Sequence, residues 1–150
     1  MRNESANAIS SWEALFRAQV TVLRQLNREF PHDKLSLNEY DVLFNLSRCD
    51  GWRLRIRDLN RHLLLTQPSV SRLVDRLQVR GLVRKESDPG DGRGTFVCLT
   101  EAGYELFRRV AVSHSASITR HVGGALTAEE LAQLRELSDK LRNSVESDAT

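Results

Sequence analysis

The sequence contains little of what marks disulfide-rich, fibrous or membrane proteins. Its 150 residues include two cysteines, three prolines and eight glycines, and no apolar run approaches the length of a membrane span. Cys49 and Cys98 form no CxxC motif, so no disulfide framework is expected, and whether either thiol is redox-active stays open. The N-terminal segment lacks the apolar core of a signal peptide. We therefore expect one cytoplasmic domain over residues 1–150 and no membrane contact.

Motifs for catalysis and for metal binding are also missing from the sequence. There is no P-loop, no dinucleotide-binding fingerprint and no Ser-His-Asp order, so we expect neither an enzyme nor a cofactor. His114 and His121 lie seven residues apart, farther along a helix than the i, i+4 pair that a zinc site favours. No metal site is predicted, and these histidines are interpreted as interface or surface residues.

Positive charge is concentrated in the middle of the chain. The net charge is only +2, but residues 53–93 hold ten Lys/Arg against five Asp/Glu, and the flanks are acidic in balance. A localised basic segment of this kind is typical of a surface that meets phosphate groups.

Hydrophobic periodicity and turn residues predict the elements and their order. Two capping boxes, SLNE and TAEE, mark the starts of helices. In chain order the predicted elements are a helix from Trp12 to Phe30, a helix beginning at 36–39, a short strand at 52–54, a short helix at 56–63, a helix at 66–80, strands at 82–87 and 95–100, a helix from Glu101 to Gly123, and a helix after 127–130. The loop DPGDGRG joins the two longer strands into a hairpin.

The segment TQPSVSRLVDRL, residues 66–77, is an unusual amphipathic helix. One face carries Val70, Leu73, Val74 and Leu77 at the spacing of a buried stripe. Short hydroxyls and two arginines occupy the N-terminal end and the other face, either as a solvated surface or as a surface that enters a groove.

A short helix, a tight turn and this helix form a helix-turn-helix, and the basic hairpin after it adds a wing. The predicted fold class is mainly α with a small β-hairpin wing, a winged helix-turn-helix core flanked by N- and C-terminal helices. Those flanking helices carry more apolar surface than a small winged helix covers, which predicts pairing with a second copy of the chain.

Residues 54–103 resemble the MarR (multiple antibiotic resistance regulator) family, through SRLVDRL, GLVRK, the wing residues Asp91 and Arg93, and LTEAG. The resemblance implies a homodimer that binds double-stranded DNA, with a winged helix-turn-helix over 36–100 and dimerisation helices over 8–31 and 101–147. It also implies that a small molecule or an oxidant releases the DNA.

The family's DNA contacts map onto seven residues of the predicted recognition helix and onto the wing. The helix residues are Thr66, Gln67, Pro68, Ser69, Ser71, Arg72 and Arg76. On the wing the resemblance assigns the contact to Arg93, with Asp91 holding its guanidinium. The sequence departs from many members at Gly92, where they have arginine, and it lacks the first-helix cysteine of the peroxide-sensing members.

Three functions are compatible with the sequence. The first is a repressor that binds an inverted-repeat operator and is released by a small aromatic effector, for which Trp12, Phe16 and Tyr40 are candidate pocket residues. At helical spacing aromatic residues are more often part of a core. The second is a constitutive or architectural DNA-binding protein without an effector. The third, a protein-interaction module that no longer binds DNA, is disfavoured by Arg72, Arg76 and Arg93.

Overall fold

The computed structural model describes residues 2–149 and confirms a mainly helical protein with one small antiparallel sheet. Its elements are α1 (Arg2–Glu29), α2 (Leu37–Ser47), a 3-10 turn (Asp50–Trp52), β1 (Arg53–Arg55), α3 (Ile56–Arg61), α4 (Gln67–Val79), β2 (Val83–Ser87), β3 (Thr95–Leu99), α5 (Glu101–Ile118), a π-helical turn (Thr119–Gly123) and α6 (Ala128–Asp148). Contacts divide the chain into two compact units, one with α1 and the chain from Ser115 onward, the other spanning Phe30–His114. No helix within residues 2–149 is long and apolar enough to cross a membrane.

In the first unit, α1 begins at Arg2, earlier than the predicted start at residue 8. The first turns lack an apolar stripe, but they contain no proline or glycine, and Glu4 lies near the positive end of the helix dipole. At the other end of α1, Glu29 accepts a hydrogen bond from Ser117 in the last turn of α5 and pairs with His121 of the π-helical turn at 2.7 Å. Hydrogen bonds from Ser117, Gln25 and His121 hold the pKa of Glu29 well below its usual range.

The second unit has a core formed by α2, α3, α4, α5 and the sheet. Helix α2 begins with the predicted capping box, since Ser36 and Glu39 each accept a hydrogen bond from the other's backbone N–H. Helix α4 ends at Val79 and is followed by Arg80 and then Gly81, which has φ of 73° and so adopts the left-handed conformation that glycine tolerates best. The Leu82 N–H then donates to the Leu77 carbonyl at 3.0 Å, as in a Schellman motif.

Strand β3 is the centre of the three-stranded sheet, with the order β1-β3-β2. Both pairings are antiparallel, with Leu54 opposite Val97 and Lys85 opposite Val97 on the two sides of β3. The predicted hairpin is therefore present, and the predicted third strand forms one residue later than expected, at Arg53–Arg55.

Helix α5 approaches the sheet closely through a glycine in its first turn. The Gly103 N–H donates to Thr100 Oγ1 at 3.0 Å, and the Thr100 N–H donates to the Leu82 carbonyl at 3.2 Å. A β-carbon at Gly103 would lie 2.1 Å from that carbonyl oxygen, so only glycine fits. Leu106 and Val110 then enter the core, and the compact unit extends to His114.

Substituting Gly103 by alanine should destabilise the protein by about 1–3 kcal/mol, because the new methyl group overlaps backbone that cannot rotate away. Urea unfolding followed by circular dichroism measures the effect. Gly123→Ala is the matched control, since its β-carbon would meet only Thr119 Cγ2 at 3.7 Å. Equal stability of Gly103→Ala and wild type would contradict the packing described for α5.

Candidate nucleic-acid interface

The N-terminal end of α4 is fixed by a hydroxyl cap. Thr66 has an extended backbone, and its Oγ1 accepts a hydrogen bond from the Ser69 N–H at 3.3 Å. The same hydroxyl donates to Ser69 Oγ at 2.8 Å. Pro68 lies in the first turn, where its missing N–H leaves no helical hydrogen bond unmade. The end of the helix is thus ordered while Thr66, Gln67 and Pro68 stay exposed to solvent.

The two faces of α4 differ sharply in exposure. The buried face consists of Val70, Leu73, Val74 and Leu77. Arg72 and Arg76 are exposed, Ser71 is half-buried, and both arginines line a shallow groove of about 290 Å³ together with Ser69. The structure therefore brings the predicted helix contacts together at one end and one side of α4.

Ion pairing separates the basic residues of 53–93 into two groups. Six pair with carboxylates: Arg53, Arg55, Arg61, Arg80, Arg84 and Lys85. On β2, for example, the hydrogen bond from Arg84 lowers the pKa of Glu86. Among the residues that the structure describes, four basic side chains of this segment have no carboxylate partner: Arg57, Arg72, Arg76 and Arg93. Three of these four are predicted DNA contacts, whereas Arg57, near the start of α3, was not predicted from the sequence.

The loop of the wing presents Arg93 in solvent between two glycines. The Arg93 backbone N–H donates to Asp91 Oδ1 at 3.1 Å. Asp91 thus orders the backbone that carries Arg93, and the predicted contact between Asp91 and the Arg93 guanidinium stays a prediction. The backbone contact follows from the short spacing, because a carboxylate two residues away reaches the main chain more readily than the end of an arginine.

A second carboxylate in this loop, Asp88, is buried and was not predicted from the sequence. Its Oδ1 accepts a hydrogen bond from the Gly90 N–H at 2.9 Å, and its Oδ2 lies 2.7 Å from Nε of Arg55 on β1. The Arg55 N–H is not aligned with that oxygen, so the contact is an ion pair rather than a hydrogen bond. The DPG sequence signals the turn, because aspartate often bonds the backbone N–H two residues on, but it carries no sign of Arg55.

The three candidate effector-pocket residues lie in different units. Trp12 and Phe16 are in the first unit, 60% and 52% exposed, with their ring centroids 6.0 Å apart. Tyr40 belongs to the core of the second unit, and its ring packs edge-on against Phe30 and His114. A pocket shared by all three stays a prediction.

His114 is itself a buried core residue, not an interface or surface residue, and desolvation lowers the pKa of its imidazole.

Neither cysteine has the surroundings of a reactive thiolate. Cys98 is buried on β3, and the Cys49 thiol donates a hydrogen bond to the Asn45 carbonyl at 3.3 Å. Burial raises the pKa of both thiols, which keeps them protonated at neutral pH and lowers their nucleophilicity.

The second unit thus has the parts of a winged helix-turn-helix protein: α3, a tight turn, α4 with an exposed polar end, and a β-hairpin with a cation on its loop. Comparison with known proteins identifies the family. A profile of the MarR family matches residues 33–94. The chain is also 30% identical over 137 residues to the uncharacterized HTH-type transcriptional regulator YkoM of Bacillus subtilis, with 91% of this chain and 87% of that protein covered.

Two solved structures of regulators have the same fold over most of the chain. Sco3205, a MarR family transcriptional regulator from Streptomyces coelicolor crystallised with DNA, is 30% identical, with a TM-score of 0.77 and coverage of 89% of this chain and 85% of Sco3205. BpsR of Bordetella bronchiseptica, whose DNA binding is regulated by 6-hydroxynicotinic acid, is 26% identical, with a TM-score of 0.74 and coverage of 89% and 98%. The chain belongs to the MarR family, and the predicted resemblance is confirmed.

Removing the α4 cap should weaken the fold locally. We expect Thr66→Ala to lower the free energy of unfolding by about 1 kcal/mol, because the Ser69 N–H loses its acceptor at the helix end. Thr66→Ser keeps the hydroxyl and is the matched control. Thermal unfolding of both variants measures the difference, and equal loss in the two would show that the hydroxyl cap does not stabilise α4.

Proposed function

We propose that this chain is a homodimeric repressor that binds an inverted-repeat operator and is released by a small-molecule effector. The observation that carries the proposal is the exposure of unpaired arginines on α4 and on the wing, Arg72, Arg76 and Arg93. A helix fits the major groove, where arginine binds guanine O6 and N7 through two hydrogen bonds. An arginine on a thin loop suits the narrower minor groove with its negative potential. The DNA complex of Sco3205 supports DNA as the ligand.

The small polar residues at the start of α4 have a complementary role in this proposal. The set is Thr66, Gln67, Pro68, Ser69 and Ser71. Hydroxyls and backbone N–H groups at a helix start bind phosphate oxygens, and small side chains allow the helix end to enter the groove. These contacts set the register of α4 on the duplex, and the arginines then distinguish bases.

The flanking helices support a dimer formed over 8–31 and 101–147. Helix α1 exposes Trp12 and Phe16, and helix α6 exposes Leu137, Leu141 and Val145, each at 50% or more of its surface. Aromatic and aliphatic side chains repeated along a helix are typical of an interface. A second copy that covers them gives the assembly a two-fold axis, which an inverted-repeat operator matches.

The effector is the less constrained part of the proposal. Regulation of BpsR by 6-hydroxynicotinic acid favours a small aromatic acid, with Trp12, Phe16 and Tyr40 as pocket residues. A constitutive or architectural DNA-binding protein is the alternative, because it needs the same winged helix and no pocket. Thermal-shift measurements with a panel of aromatic acids distinguish the two, since a ligand that binds only the folded state raises the melting temperature.

We expect binding to an inverted repeat whose half-sites are about one helical turn, roughly 10 bp, apart. The affinity should fall steeply with salt, with a linear dependence of log affinity on log salt, because several arginines displace counterions from phosphates. Operators are selected from random DNA and then titrated at several salt concentrations by fluorescence anisotropy. Light scattering on the same sample gives the subunit number. A monomer near 17.1 kDa, no preference over random DNA, or affinity independent of salt would each contradict the proposal.

Truncating the α4 arginines should separate base recognition from general attraction to DNA. Arg72→Ala or Arg76→Ala should cost about 1–3 kcal/mol on the selected operator and much less on random DNA, if the side chain reaches a guanine. Arg84→Ala is the control, because it makes the same change in net charge at a guanidinium already bound to Glu86. Equal weakening on operator and random DNA would show that the α4 arginines contact phosphates instead.

A further inference from the structure

The wing contains a buried negative charge in a region that the proposed function places against DNA. Asp88 is 5% exposed, and it follows β2 directly, at the start of the loop that carries Arg93. A carboxylate near phosphates opposes binding by simple electrostatics. The burial of this carboxylate is therefore explained by the groups of the wing that it holds in place.

Asp88 pairs with a cation that is itself held by the sheet. Arg55 lies at the end of β1 opposite Phe96 of β3, and its guanidinium carbon is 5.5 Å from the centre of the Phe96 ring. From there the side chain passes over β3 to place Nε 2.7 Å from Asp88 Oδ2. The pair thus links the two outer strands, β1 and the end of β2, across the central strand.

The same aspartate closes the base of the loop. The Asp88 N–H donates to the Gly94 carbonyl at 3.0 Å, and the Asp88 carbonyl accepts from the Asp91 N–H at 3.2 Å. A β-carbon at Gly94 would lie 3.0 Å from Asp88 Cβ, whereas one at Gly92 would meet nothing within 4 Å. The loop is therefore packed against Asp88 at its base and open at its tip, directly beside Arg93.

We propose that the Arg55–Asp88 ion pair fixes the conformation of the wing loop before DNA binds, so that Arg93 already has the position that it takes on DNA. The inference rests on the proposed function. Its physical basis is entropy: a loop with three glycines in 90–94 loses much conformational freedom when it is ordered. Ordering it in the free protein removes that cost from the binding step.

Asp88→Asn tests the proposal because it keeps the oxygen that accepts the Gly90 N–H and removes only the charge facing Arg55. We expect binding to the selected operator to weaken about fivefold, the equivalent of ordering roughly one residue. The matched control is Glu105→Gln on α5, which makes the same change of charge at an exposed residue outside the wing and should bind as tightly as wild type or more tightly. Simple electrostatics predicts tighter binding for both variants.

A double-mutant cycle tests whether Asp88 acts through Arg93. In the Arg93→Ala background, Asp88→Asn should cause no further weakening of operator binding. In the protein that retains Arg93, replacing Asp88 should make the backbone amides of Gly90 and Gly94 exchange hydrogen faster. Should Asp88→Asn fail to fold by circular dichroism, Gly94→Ala and Gly92→Ala take its place, with weakening expected only for Gly94→Ala.

Two results overturn the positioning role while leaving the proposed function intact. One is operator binding by Asp88→Asn that equals or exceeds that of wild type, and the other is a loss of affinity that is just as large in the absence of Arg93. Failure of the wild-type protein to bind any DNA overturns the proposed function instead. In that case unchanged amide exchange in Asp88→Asn also removes the claim that the ion pair orders the loop.

Discussion

Helix α4 keeps Val70, Leu73, Val74 and Leu77 inside the core, and helical geometry then decides what its other side presents. Burying each of these side chains contributes about 1.5–3 kcal/mol, while a domain of this size is stable by only about 5–15 kcal/mol in total. A rotation of α4 that turned its arginines inward would expose the apolar side chains and unfold the unit. The hydrophobic core therefore fixes the direction in which Arg72 and Arg76 point, without any contact made by their own side of the helix.

Ion pairs with carboxylates neutralise most of the basic side chains in residues 53–93. Carboxylates pair with Arg80 and Lys85, which border α4, and with the arginines of β1 and β2. Within residues 2–149, Arg72, Arg76 and Arg93 have no carboxylate partner, and they lie on the exposed side of α4 and on the loop of the wing. A net charge close to neutral is thus compatible with strong local attraction of anions, because the acidic residues neutralise arginines elsewhere.

Local signals in the sequence predicted much of this arrangement. The capping box at Ser36 and Glu39, the end of α4 before Gly81 and the glycine-rich hairpin depend on residues close in sequence, so their patterns are readable. The pairing of Arg55 with Asp88 joins residues from different strands, and only the register of the sheet brings them together. The burial of His114 was missed for the same reason, since its aromatic neighbours come from distant elements.

Helix α5 begins in the second unit, and its residues up to His114 supply Leu106 and Val110 to the winged-helix core. A truncated chain that ended at Thr100, where the wing finishes, would leave that core open on one side and prone to aggregation. A protease has no flexible loop to cut near His114, because the backbone there is hydrogen-bonded helix. The smallest fragment worth expressing as an isolated winged helix must therefore end at His114 or beyond, part-way along α5.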